Sequence, residues 1–157
     1  APIVFDPNIR PSVMADRAKY AAAVEKWVSI SSVVKVSDDD IKWLYPTDSL
    51  DVVAHRWIDA GVSCVVITRG AKGLIGFTAS GMEEVDGARV DVVDTVGAGD
   101  TVGAIVVEGI IKHSVHGLQG QVLNALLHKA AIAAGITCSR AGAQPPRAHE
   151  LVDAMEK

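Results

Sequence analysis

The chain has 157 residues, 49% hydrophobic and 22% charged, enough for one domain with a true core and too apolar for disorder. A formal net charge of −4 disfavours a nucleic-acid or anionic-membrane surface and leaves small molecules as partners. Its apolar runs are broken by Gly, Glu, His or Lys, so no membrane span is expected.

The sequence opens Ala-Pro-Ile-Val-Phe-Asp, inside a strand pattern, which reads as the start of a fragment or processed chain. Residues 3–6 form a short apolar strand ending in the polar run Asp6-Pro-Asn8-Ile-Arg10. Asp16 caps a helix reaching about residue 30, and residues 33–36 form a second apolar strand. Ser37 and three aspartates then start a short helix that Pro46 stops. Ser49 opens another helix, ended by Gly61. Residues 62–68 are almost continuously apolar, as a strand buried on both faces requires. Residues 74–78 and 82–85 pair around Ser80-Gly81 as an antiparallel insertion, and residues 90–93 read as a further strand. Apolar helices follow over residues 102–111 and 118–137, and an amphipathic one over 147–155. Strands alternating with helices predict one α/β unit over residues 1–157, with a mostly parallel sheet.

Ligands in such sheets collect at the carboxyl ends of strands, which gathers four clusters on one rim. The first is the octapeptide Asp94-Thr-Val-Gly-Ala-Gly-Asp-Thr101, a glycine turn between an apolar strand and an apolar helix. Its freed backbone N–H groups and the helix dipole make an anion site, and Asp100 places a carboxylate beside it. That pairing suits a base deprotonating a hydroxyl that attacks phosphorus. An Asp in a first helical turn is also what an ordinary cap supplies. The turn is not a Walker A loop, because no Gly-Lys-Ser/Thr follows, nor the dinucleotide fingerprint, which needs a third glycine.

The second cluster, Thr68-Arg69-Gly70-Ala71-Lys72-Gly73, offers glycine amides and two cations to phosphate oxygens, or is a plain turn into a hairpin. In the third, Lys35 to Asp40, the run Ser37 to Asp40 is either an N-cap with dipole-compensating carboxylates or an acidic patch holding Mg²⁺ through water. The fourth, Asp6, Asn8 and Arg10, suits hydrogen bonding to a polyol or a transferring phosphoryl group. The five histidines lack metal-ligand spacing and read as ordinary residues. Trp27, Trp43 and Trp57 fit helix faces packed on the sheet. Cys64 and Cys138 read as buried thiols of a reducing, cytoplasmic setting.

Taken together, the octapeptide and the collinear clusters, followed by Ser139-Arg-Ala-Gly-Ala-Gln-Pro145, resemble the C-terminal half of ribokinase-like (PfkB) carbohydrate kinases. The Asp-Pro-Asn-x-Arg opening is most similar to the fructokinase and 2-keto-3-deoxygluconate kinase branch. The resemblance implies a three-layer α/β/α fold and ATP-dependent phosphoryl transfer to a sugar hydroxyl, with Mg²⁺ and, in several members, K⁺. It implies that Asp100 is the catalytic base and that Gly97, Ala98 and Gly99 form the anion hole. Thr68, Arg69, Gly70, Lys72, Gly73 and Ser37 would contact nucleotide, with Ala131 near the adenine. Asp6, Asn8, Arg10 and Asp100 would meet the sugar. Asp40 falls in the motif linked to Mg²⁺, as an Asp where the family carries Glu. Asp94, Val96, Thr137, Arg140 and Gly142 match a monovalent-cation site. Full-length members can form homodimers. The sugar-binding N-terminal part and lid of the family have no counterpart in these residues, so a truncated, non-catalytic nucleotide-binding module is the reading of another class.

Overall fold

The computed structural model describes residues 1–156. Five strands form one sheet in sequence order: β1 (Val4–Phe5), β2 (Val33–Ser37), β3 (Cys64–Thr68), β4 (Leu74–Thr78) and β5 (Gly81–Val85). The first three are parallel, then β4 runs antiparallel to β3 and β5 antiparallel to β4. The predicted hairpin therefore extends the main sheet and is not an insertion beside it.

Helices α1 (Arg17–Val28), α2 (Asp38–Leu44) and α3 (Leu50–Asp59) make the crossovers between parallel strands. Each starts at a side-chain cap: Asp16, Ser37 and Ser49 accept from the N–H groups of Lys19, Asp40 and Val52. Helices α4 (Ala98–His113) and α5 (Gly120–Cys138) lie on the opposite side, and α6 (Ala148–Met155) packs on α5.

Strand side chains alternate between the two faces, so the strands build two cores. Val33, Cys64, Val66 and Leu74 join α4 and α5 residues such as Val106, Leu123 and Leu127. Val34, Val36, Val65, Ile67 and Phe77 join Val28, Ile41 and Trp57 from α1, α2 and α3. Gly76 matters for the first core, because a Cβ there would stand 2.9 Å from Leu123. On the second face Glu25 accepts from the Tyr45 hydroxyl and, at 3.1 Å, from the indole of buried Trp57, which ties α1 to its two neighbours. Layers of helix, sheet and helix make the three-layer fold that the sequence predicts.

Residues 90–93 do not form the predicted strand. β5 closes the edge of the sheet, and residues 86–97 cross the strand ends without pairing along it. The N–H groups of Val93 and Asp94 instead donate to one carbonyl, that of Cys138, at 2.8 and 3.1 Å. Val92 and Val93 remain more than half exposed. β-Branched composition supplied the propensity, but the segment runs along neither free edge of the sheet. α4 also begins four residues before its predicted start at residue 102, since Gly97 adopts φ 81 and the helix runs directly from it. Trp27 is 54% exposed and stacks on Phe5, so it does not pack under the sheet as expected. Cys64 is buried, whereas Cys138 is partly accessible.

Candidate active site

β1, β2 and β3 end on one rim, and there the register aligns Ser37 with Thr68, Thr68 with Leu74, and Leu74 with Val85. α4 starts at the same rim. Between the turn after β3, the crossing segment and the face of α5 lies a cleft of about 890 Å³. Thr68, Gly70 and Gly73 line one side, Ala131, Ala134 and Gly135 of α5 another, and Ala98 and Gly99 its end. The β3 turn, the first turn of α4 and Ala131 are thus brought together as the sequence predicts.

The turn at Gly97 needs glycine on two counts. Its φ of 81 is left-handed, and a Cβ would stand 2.7 Å from that of Ala143. Gly97 has no side chain to cap α4; the Ala98 N–H turns back to the Thr95 carbonyl at 3.3 Å, and the N–H groups of Gly99 and Asp100 are left for a ligand or water. Thr101 anchors the turn from below. Its hydroxyl donates to the Gly97 carbonyl at 2.9 Å and pairs with buried Thr137 at 2.9 Å. Asp100 lies exposed in this first turn, one residue beyond the cleft lining.

Asp94 braces the turn. One carboxylate oxygen accepts from the Val96 N–H at 3.0 Å and the other from the Gly142 N–H at 2.9 Å. These bonds hold its carboxyl below the usual carboxylate range. They also join the loops carrying Asp94, Val96, Arg140 and Gly142, the residues assigned to a cation. The side chains of two members of that set are committed elsewhere: Thr137 to Thr101 and the Ala133 carbonyl, Arg140 to Glu150 at 2.6 Å. A cation there would be met by loop carbonyls and Asp94, the oxygen donors such ions take.

Ser37 caps α2, and Asp40 sits partly buried beside it. Burial raises the Asp40 carboxyl, partly offset by hydrogen bonds from Ser37 and the Ile9 N–H. Asp6 is near enough to raise it further. Two neighbouring carboxylates without a closed ligand cage suit a Mg²⁺ ion that keeps most of its waters. Among the described residues no group of three or more His, Cys, Asp or Glu forms a metal centre, and all five histidines are exposed.

The rim cations differ in what holds them. Arg69 turns away from the cleft to Glu84 at 2.8 Å and to the Lys72 carbonyl at 2.9 Å. Lys72 is exposed on the turn. Arg10 is exposed and donates to its neighbour's carbonyl, that of Ile9. Asn8 has φ 43, held by an Asp6 carboxylate oxygen that accepts its N–H at 3.2 Å. The other Asp6 oxygen pairs at 2.8 Å with Lys35, a buried lysine that the sequence places in the third rim cluster without giving it a role. Its signal was one charge inside the apolar run Val33-Val34-Lys35-Val36.

Compared with known proteins, residues 1–150 match the model of the pfkB family carbohydrate kinases. A fructokinase of Rhizobium leguminosarum bv. trifolii is 42% identical over 99 residues, which are 63% of this chain and 30% of that enzyme. The structure of a Xylella fastidiosa fructokinase with bound ATP superimposes with a TM-score of 0.88 at 23% identity, over 99% of this chain and 52% of that one. A Vibrio cholerae O395 fructokinase holding fructose, ADP and calcium gives 0.82 at 27% identity, over 97% of this chain and 50% of that one. The chain thus spans about half the length of the kinases whose structures it matches. With its sheet order, its glycine turn at the head of α4 and this match over nearly its whole length, the chain belongs to the pfkB family of carbohydrate kinases.

Proposed function

We propose that this chain is the nucleotide-binding and phosphoryl-transfer portion of an ATP-dependent sugar kinase of fructokinase type. The observation that carries the reading is the first turn of α4, whose Ala98 and Gly99 line the cleft. A triphosphate laid along the cleft would place its adenine against Ala131 and Gly135 and its last phosphoryl group at Gly97 to Gly99. The Thr68 to Gly73 turn would flank the phosphates. Asp100 then stands beside the phosphoryl group but outside the nucleotide cleft, where a sugar hydroxyl can approach in line. It accepts the hydroxyl proton as the oxygen attacks the γ-phosphorus and the bond to the bridging oxygen breaks, so that ADP leaves. The amides of the turn meet the charge on the transferring oxygens. Mg²⁺, when bound with ATP, supplies further charge neutralisation, and Asp40 with Asp6 would hold it through water.

Fructose is the first acceptor to test. The exposed Arg10 guanidinium, beside Asp6 and Asn8, keeps a sugar acid such as 2-keto-3-deoxygluconate as the second. Coupled assays with each acceptor separate them. For the Asp100→Asn variant, calorimetry should give ATP affinity within about twofold of the unsubstituted protein, while sugar phosphorylation drops by about 10²–10⁴. Full turnover by that variant in a full-length kinase context would remove Asp100 as the base.

A further inference from the structure

Lys35 lies on β2 with its side chain on the α4 side of the sheet, next to Val33 in the alternation. Only 7% of that side chain is exposed. Its Nζ ends so close to the first turn of α4 that a Cβ on Gly99 would stand 2.8 Å from it. This juxtaposition is electrostatically costly. The N-terminus of a helix carries partial positive charge, and the ammonium adds a full one. The Asp6 carboxylate, itself 31% exposed, faces the ammonium at 2.8 Å, and Asp40 lies within electrostatic reach of it without a direct bond. An ammonium has three donors, and here one of them is matched, to Asp6.

A buried cation against a positive helix end calls for an anion between them, and Gly99, which Lys35 abuts, lines the end of the cleft. We infer that Lys35 donates to the terminal phosphoryl group of a nucleotide bound at Gly97 to Gly99, with Asp6 holding the ammonium in place. Gly99 is then glycine because any side chain would displace that ammonium. The role also explains how the rim supplies phosphate charge although Arg69 is turned to Glu84. The inference rests on the reading of the cleft as a nucleotide site.

The alternative is that Lys35 only staples β1 to β2. The two roles differ in how they depend on phosphate number. Calorimetric titration with ATP, ADP and AMP, each with Mg²⁺, compares the unsubstituted chain with Lys35→Met, whose fold is checked by near-ultraviolet circular dichroism. We expect ATP binding to weaken about ten- to hundredfold, the range of one charge-assisted hydrogen bond, and AMP binding to change less than twofold. Equal weakening of all three nucleotides, or of none, would overturn the role while leaving the cleft reading intact. Failure of the unsubstituted chain to bind any of them would overturn both. A second measurement needs no substitution. In ¹⁵N-lysine-labelled protein the Lys35 Nζ resonance should move with a non-hydrolysable ATP analogue and stay fixed with AMP, and an unmoved resonance under saturating analogue sinks the proposal.

Discussion

Thr101 and Thr137 show how much of the site depends on a single buried contact. Their hydroxyls meet at 2.9 Å between α4 and α5; with the Thr101 proton given to the Gly97 carbonyl, the Thr137 proton is shared between the Thr101 oxygen and the Ala133 carbonyl. Removing one hydroxyl leaves its partner with fewer bonds in an apolar setting, whereas removing both leaves nothing unsatisfied. Thr137→Val should therefore cost about 1–3 kcal/mol in urea unfolding, and Thr101→Val with Thr137→Val less than the sum of the single changes. Additive losses would show that the two hydroxyls act independently. Such pairs are hard to read from sequence, because 36 residues separate them. Lys35 was hard to read for another reason. Its charge was visible, but only the fold shows that strand alternation aims it at α4. Asp100 was legible because the glycine turn, the helix that follows and the carboxylate are all local.

At the scale of elements, local signals fared best where an element carries its own start. The caps Asp16, Ser37 and Ser49 marked three helices to within a residue or two of their starts. The strand expected at residues 90–93 failed because strands need an edge, and edges are decided elsewhere in the chain. What orders that segment is the bracket at Asp94. Its carboxyl is held down by the Val96 and Gly142 N–H groups. A group with a depressed folded pKa contributes stability above its unfolded pKa, about 3.9 for Asp, and loses it as pH falls through the folded value. Glu150, held low mainly by Arg140, and Glu108, held low mainly by Lys112, follow the same sign. Melting curves of the unsubstituted chain and Asp94→Asn should therefore differ by a constant amount above about pH 5 and converge as the solution is taken below about pH 4. A gap that persists at low pH would mean that the carboxylate charge is not what holds the loops.

For the molecule as a whole, the sheet divides two cores, and the site sits where the layers end. The layering was legible from alternating strands and helices, and the collinear motifs placed four clusters on one rim. Which clusters contribute charge to the cleft was not legible, because that depends on side-chain direction. Asp100 is exposed in this chain, and water-excluding closure is part of how kinases reach their rates. This chain alone should bind nucleotide yet phosphorylate sugar far below the roughly 1–100 s⁻¹ usual for kinases. Turnover within that range by the 157 residues would show that no further cover is needed.

The single carbonyl of Cys138 that receives both Val93 and Asp94 has a kinetic consequence. Residues 86–97 have no ladder to protect their amides. Their hydrogen–deuterium exchange should therefore be fast, except at Val93, Asp94 and Val96, where the bracket and this carbonyl act as a latch. Opening the last turn of α5 would release the latch, so the exchange rates of these amides gauge how often the anion turn comes apart.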